Sequence, residues 1–130
     1  MLRLEVEWIW KECPDMEAMS DQALQQVAQY FQALAEPNRL RILNALRGGE
    51  RNVGELTEIC GSSTANVSRH LALLARHGMV TREGRGTAVY YRITDPAIYA
   101  LCDLVCGNIA RQYEQMAVVR QQLGGVPAVE

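Results

Sequence analysis

Cys102 and Cys106 stand four residues apart in a long stretch of apolar-periodic sequence. On a helix that spacing puts both thiols on one face, with Cβ atoms about 5–6 Å apart. An unstrained disulfide wants Cβ atoms about 3.5–4.5 Å apart, so a direct bond within the pair would be strained. A bridging atom suits the gap better, either a soft metal or metalloid ion such as As(III) or an inserted sulfur chain. Cys13 is the candidate third thiolate, supplied by an N-terminal arm folded over this helix in its own or a partner subunit. Cys13-Pro14 is also the minimal dipeptide of some regulatory haem sites. The plainer role is packing, since cysteine serves well as a small hydrophobe. Cys60, at an apolar position, reads as core.

A second constellation occupies residues 62–93. Ser62 or Ser63 caps a helix whose stripe of Val67, Leu71 and Leu74 faces inward, and Gly78 ends it. The opposite face carries Ser63, Thr64, Ala65, Asn66, Ser68, Arg69 and Ala72. Small residues allow close approach to another surface, while Asn, Ser, Thr and Arg offer donors and acceptors to base edges or phosphates. Directly after it, Met79–Arg82 and Ala88–Ile93 alternate as half-buried strands. Gly84-Arg85-Gly86-Thr87 forms their tip, from which Arg85 is free to project beside Arg82.

Charge supports that chemistry. The net formal charge is only −2. Residues 1–36 hold two bases against seven acids, whereas residues 37–93 hold nine arginines against four glutamates. Residues 94–130 return to a net of −2. A segregated basic block is the electrostatic footprint that phosphate binding requires. A solvated arginine-rich surface is the alternative that charge alone allows.

The elements that must position these residues are legible by periodicity. Leu24, Val27, Ala28, Phe31, Leu34 and Ala35 mark a helix over 21–35, capped by Ser20 or Asp21. Pro37 opens a second helix through Leu40, Leu43 and Leu46, stopped at Gly48-Gly49. A short third helix turns Val53, Leu56 and Ile59 inward. Asp95 as N-cap and Pro96 as first residue start a last helix with Ile98, Leu101, Cys102, Val105, Ile109 and Met116 along one stripe. A core already supplied by the preceding elements has little use for so long a stripe. It is best covered by a second copy of itself, with the first helix assisting, which implies a homodimer.

The length of 130 residues, about half of them apolar, suits one compact domain. A membrane span is excluded, because no run of about 18 apolar residues occurs. The acidic N-terminus lacks the features of a signal peptide, so a cytoplasmic location with reduced thiols is expected. His70 is expected to pack or bond locally. His77 sits at a helix C-terminus, where an imidazolium suits the dipole. Trp8, Trp10 and Tyr30 read as packing of an N-terminal extension. There is no Gly-rich phosphate loop, nucleophile elbow or carboxylate pair, so nothing points to catalysis.

Three segments, LAEPNRLRILNAL (34–46), VGELTEICGSSTANVSRHLALLARHGMV (53–80) and GRGTAVYYRI (84–93), strongly resemble the ArsR/SmtB family of small dimeric bacterial repressors. The most characteristic piece is VSRHLALL. The resemblance implies a mainly α fold with a small β-hairpin, a winged helix-turn-helix that dimerises through its terminal helices. On that pattern residues 1–19 are an N-terminal extension, 20–123 the winged domain with its dimerisation helix, and 124–130 a tail. It also implies binding to double-stranded operator DNA, with half-sites about 34–36 Å apart, and release by an inducer. DNA contact then falls to Ser63, Thr64, Ala65, Asn66, Ser68 and Arg69, with wing contact at Arg82 and Arg85.

The family's inducer sites do not carry over. Its thiolate site near the start of the third helix meets Asn52, Gly54 and Thr57 here, and its zinc site in the last helix meets Asp95 but then Ala97, Asn108 and Arg111. The expected inducer therefore acts at Cys102, Cys106 and Cys13: arsenite or another thiophilic ion first, reactive sulfur or oxidants next, haem last. No cofactor is expected to be needed for folding. The reading of another class is a thiol metal buffer or interaction dimer without DNA activity. The lack of large apolar residues on the face of residues 63–72 disfavours it.

Overall fold

The structure is a computed structural model, and it describes residues 19–124. The chain divides into two units that meet between Thr94 and Asp95.

In the first unit, helix α1 (Asp21–Leu34) begins at Ser20, whose hydroxyl accepts the Ala23 N–H at 3.2 Å. Helix α2 (Pro37–Ala45) begins with proline, whose missing N–H costs nothing at a helix start. Glu36 caps it by accepting the Arg39 N–H at 2.9 Å. A 3₁₀ turn, Leu46–Gly48, follows.

Strand β1 (Arg51–Asn52) leads into helix α3 (Val53–Cys60). A reciprocal capping box starts α3: Asn52 Oδ1 accepts the Glu55 N–H at 2.8 Å, and Glu55 Oε1 accepts the Asn52 N–H at 3.2 Å. The helix stops at Gly61, whose φ of +62° is the left-handed conformation that favours glycine.

Helix α4 (Thr64–Arg76) follows, then strands β2 (Val80–Arg85) and β3 (Ala88–Ile93). The sheet order is β1-β3-β2, antiparallel throughout, with Arg51 opposite Tyr91 and Arg82 opposite Tyr91 from the other side.

Apolar periodicity explains what holds this unit together. Ile42, Leu43, Leu56, Val67, Leu71 and Leu74 are fully buried, with Leu46, Met79, Val80 and Tyr91 beside them. Each such large side chain contributes about 1.5–3 kcal/mol on burial. Three expectations need correcting. Ile59, assigned inward, is 48 % exposed, and Leu40 of the α2 stripe is 42 % exposed; Leu24 and Phe31 on α1 are exposed too, which an expected dimer-forming first helix allows. β1 was not expected; two residues are too few for a period-2 signal. β2 runs to Arg85 rather than Arg82, because Glu83, Gly84 and Arg85 continue the ladder and Gly86-Thr87 alone makes the turn.

The second unit is one helix, α5 (Ala97–Gln122). Pro96, not Asp95, is its N-cap, and the Asp95 carboxylate still accepts the Ala97 N–H at 2.9 Å. Its apolar stripe is exposed at Val105, Ile109 and Met116, and Tyr113, Val119 and Leu123 extend it. No helix among the described residues is long and apolar enough to cross a membrane.

Candidate nucleic-acid interface

Three residues, Gly61 to Ser63, separate α3 from α4. Ser63 fixes the start of α4, its hydroxyl accepting the Asn66 N–H at 3.1 Å. With Val67, Leu71 and Leu74 fully buried on one side, helix geometry forces Ser63, Thr64, Ala65, Ser68, Arg69 and Ala72 to the other, and all six are exposed. The face holds no large apolar side chain.

Asn66 is half-buried and already engaged at both ends of its amide. It donates to Ser62 Oγ at 2.8 Å and accepts from Arg69 Nη2 at 3.1 Å. The chain Ser62–Asn66–Arg69 therefore sets where the Arg69 guanidinium sits, and Arg69 keeps its remaining donors for an outside partner.

The hairpin supplies two more of the expected residues, and strand alternation separates them. Arg82 lies opposite the buried Tyr91, on the face that packs inward, and is itself exposed. Among the described residues it makes no ion pair. Arg85 shares the other face with Glu83 and Tyr90. It is exposed but not free, which corrects the expectation that it projects unhindered. Its Nη1 and Nη2 donate to the two Glu50 carboxylate oxygens at 2.5 and 2.7 Å, and Nη2 also meets Glu83 at 3.0 Å. The guanidinium lies 4.9 Å from the Tyr90 ring centroid. Arg85 holds the Glu50 carboxyl below its ordinary value.

Sequence reasoning missed Arg39. From α2 its side chain reaches two carbonyls at the end of α1, donating to Ala33 O at 2.6 Å and Gln32 O at 3.1 Å. A third nitrogen meets His70 Nδ1 at 3.2 Å, and His70 Nε2 stands 3.6 Å from Glu36. His70 lies on α4, so this cluster ties the exposed helix to the α1–α2 corner. The available signal was helical spacing: Arg39 precedes the buried Ile42 and Leu43 by three and four residues, and His70 follows Val67 by three and precedes Leu74 by four.

Cys102 is half-buried and Cys106 exposed, both on α5, while burial pushes the Cys60 thiol up. Cys13 lies outside the described residues. Among those described, no cluster of three or more His, Cys, Asp or Glu is arranged to hold a metal ion. The family's thiolate positions do not fit one either. Asn52 is spent on capping α3, and Gly54 and Thr57 offer no thiolate. At the α5 positions Asp95 is spent on the Ala97 N–H, and Ala97, Asn108 and Arg111 give no carboxylate or imidazole.

A family model described as a helix-turn-helix domain matches residues 34–83. The transcriptional regulator NmtR of Mycobacterium tuberculosis is 38% identical over 85 residues, covering 65% of this chain and 71% of the relative. The arsenical resistance operon repressor of Bacillus subtilis is 33% identical over 87 residues, covering 66% of this chain and 83% of the relative. A solution structure from Mycobacterium bovis aligns with a TM-score of 0.65 at 34% identity, over 77% of this chain and 95% of that one. It is described as the homodimeric winged helix-turn-helix DNA-binding domain Mb0332, a possible ArsR-family regulator. Helix order, three-stranded sheet and these similarities lead to one conclusion: the chain belongs to the ArsR/SmtB family of winged helix-turn-helix transcriptional regulators.

Proposed function

We propose that the protein is a homodimeric repressor that grips operator DNA through α4 and the wing, residues 62–93, within a functional module spanning 20–123. The observation that carries this reading is the serine-capped outer face of α4, small and polar with one arginine, on the same unit as an arginine-bearing hairpin. Ser63, Thr64, Ala65, Ser68 and Arg69 are the contacts we assign to bases and phosphates, and Arg82 the wing contact. Asn66 acts chiefly by aiming Arg69. The exposed stripe of α5 supports self-association, as does the homodimeric state given for Mb0332. A fluorescence-anisotropy titration of duplex DNA tests the reading. Affinity should fall steeply as salt rises, with a slope set by the number of phosphates neutralised, and Arg69→Ala should weaken binding. A salt-independent interaction, or unchanged affinity in Arg69→Ala, would remove the assignment.

For release, we assign the switch to the thiols of Cys102 and Cys106, with arsenite or another thiophilic ion as the first inducer and Cys13 as the third ligand. The arsenical relative and the one-face spacing of the pair support it. A second reading has its own observation. Cys102 and Cys106 share one face of α5, and two thiols so placed suffice to be bridged by sulfur atoms. Arsenite, polysulfide and haem added in turn to DNA-bound protein separate these possibilities. Mass spectrometry then shows retained arsenic or added sulfur. If the Cys102→Ser and Cys106→Ser variants still release DNA normally, the switch lies elsewhere.

A further inference from the structure

The outer face of the hairpin holds a pairing that DNA binding does not require. Glu50 sits in the loop before β1, 35 residues from Arg85 in sequence, yet both its oxygens accept from the Arg85 fork. Glu83, two residues before Arg85 on β2, takes a second bond from the same nitrogen. Tyr90, opposite Glu83 in the ladder, provides the ring beside the guanidinium. Arg85 thus faces two carboxylates, while Arg82, one strand face away, faces none among the described residues.

A guanidinium presents the same planar edge to a carboxylate as to a phosphate, two parallel N–H donors meeting two oxygens. The Glu50 carboxylate occupies that edge. We propose that Glu50 is a charge gate on the wing, competing with DNA backbone phosphate for the Arg85 fork, so that in the resting protein the arginine at the hairpin tip is withheld from duplex DNA. This rests on the DNA-binding reading above. The competition is soft, because both partners are exposed and an ion pair in water is weakly held. It is also blind to sequence, since phosphate contacts carry no base information. The gate therefore lowers affinity for every duplex and leaves sequence discrimination to α4. Arg92 lies close enough to help keep Glu50 ionised.

The test uses full-length protein and a random-sequence duplex, with anisotropy measured across a salt series. Glu50→Gln keeps the shape of the side chain but removes its charge, and Glu50 is exposed, so folding is not at stake. Freed to take one phosphate, Arg85 should tighten binding about 3- to 10-fold and steepen the salt slope by about 0.9. Adding Arg85→Ala to that variant should abolish both changes. Arg85→Ala alone should cost far less than Arg82→Ala. Unchanged or weaker binding by Glu50→Gln, with wild type still binding in a salt-dependent way, overturns the gate alone. A gain that survives loss of Arg85 also overturns it, since removal of a repulsive charge would then explain everything. Absence of salt-dependent binding by wild type overturns the DNA reading and the gate with it.

Discussion

Single side chains in this protein act through partners far away in sequence. Arg39 is the clearest case, a half-buried guanidinium that satisfies two carbonyls at the end of α1 and meets His70 on α4. Hydrogen bonds from a charged donor are each worth about 1.5–3 kcal/mol when broken with the acceptor left behind, and part of that returns through water at a half-buried site. Arg39→Ala is therefore expected to lower stability by roughly 2–3 kcal/mol in urea unfolding. Arg39→Lys restores less than half of it, because one ammonium cannot span three diverging acceptors. Equal stability of all three proteins would show the cluster to be ornamental. The same non-locality explains why the sequence misled at Arg85. Its partner Glu50 arrives only because β1 pairs with β3, and neither charge patterning nor periodicity reveals a two-residue strand. Where the partner was local, as with Ser63 capping α4, residue types alone were enough.

At the scale of elements, legibility followed length and capping. α4 carries a serine cap, a 3/4 apolar stripe and a glycine stop, and its buried and exposed faces fall where that pattern puts them. Leu40 and Ile59 followed the same pattern and are exposed, because an apolar residue at the margin of a stripe is buried only if a neighbouring element reaches it. The two faces of α4 predict opposite phenotypes. Leu71→Ala empties a fully buried site and should cost about 2–5 kcal/mol of stability. Ala65→Leu places bulk on the exposed face and should leave stability within about 0.5 kcal/mol. It should nevertheless weaken duplex binding on the order of tenfold, because it holds the helix away from the bases. Thermal melts and anisotropy on the two variants check this division. If Ala65→Leu binds DNA as wild type does, the groove-facing surface of α4 has been misassigned.

The whole molecule raises the question of what covers α5. Val105 and Ile109 recur on the stripe with Met116 and Leu123, and these four are between 45 % and 67 % exposed. The stripe itself was plain in the sequence as far as Met116; its reach to Leu123 was not, since the polar run Arg120, Gln121 and Gln122 interrupts the pattern by eye. A single helix gains little from carrying such a row into water, whereas a second copy would dehydrate both rows at once, each large side chain contributing about 1.5–3 kcal/mol. Ile109→Glu puts a carboxylate in the middle of that row. The cost of burying it unpaired is several kcal/mol per interface, and an isologous contact applies that cost twice. Sedimentation should then report a monomer where wild type sediments as a dimer, with helicity by circular dichroism unchanged. Since one wing and one α4 reach only one half-site, affinity for a two-half-site operator should fall steeply while affinity for a single half-site barely moves. A monomeric variant that still held the full operator as tightly as wild type would show that α5 pairing and DNA binding are separate properties.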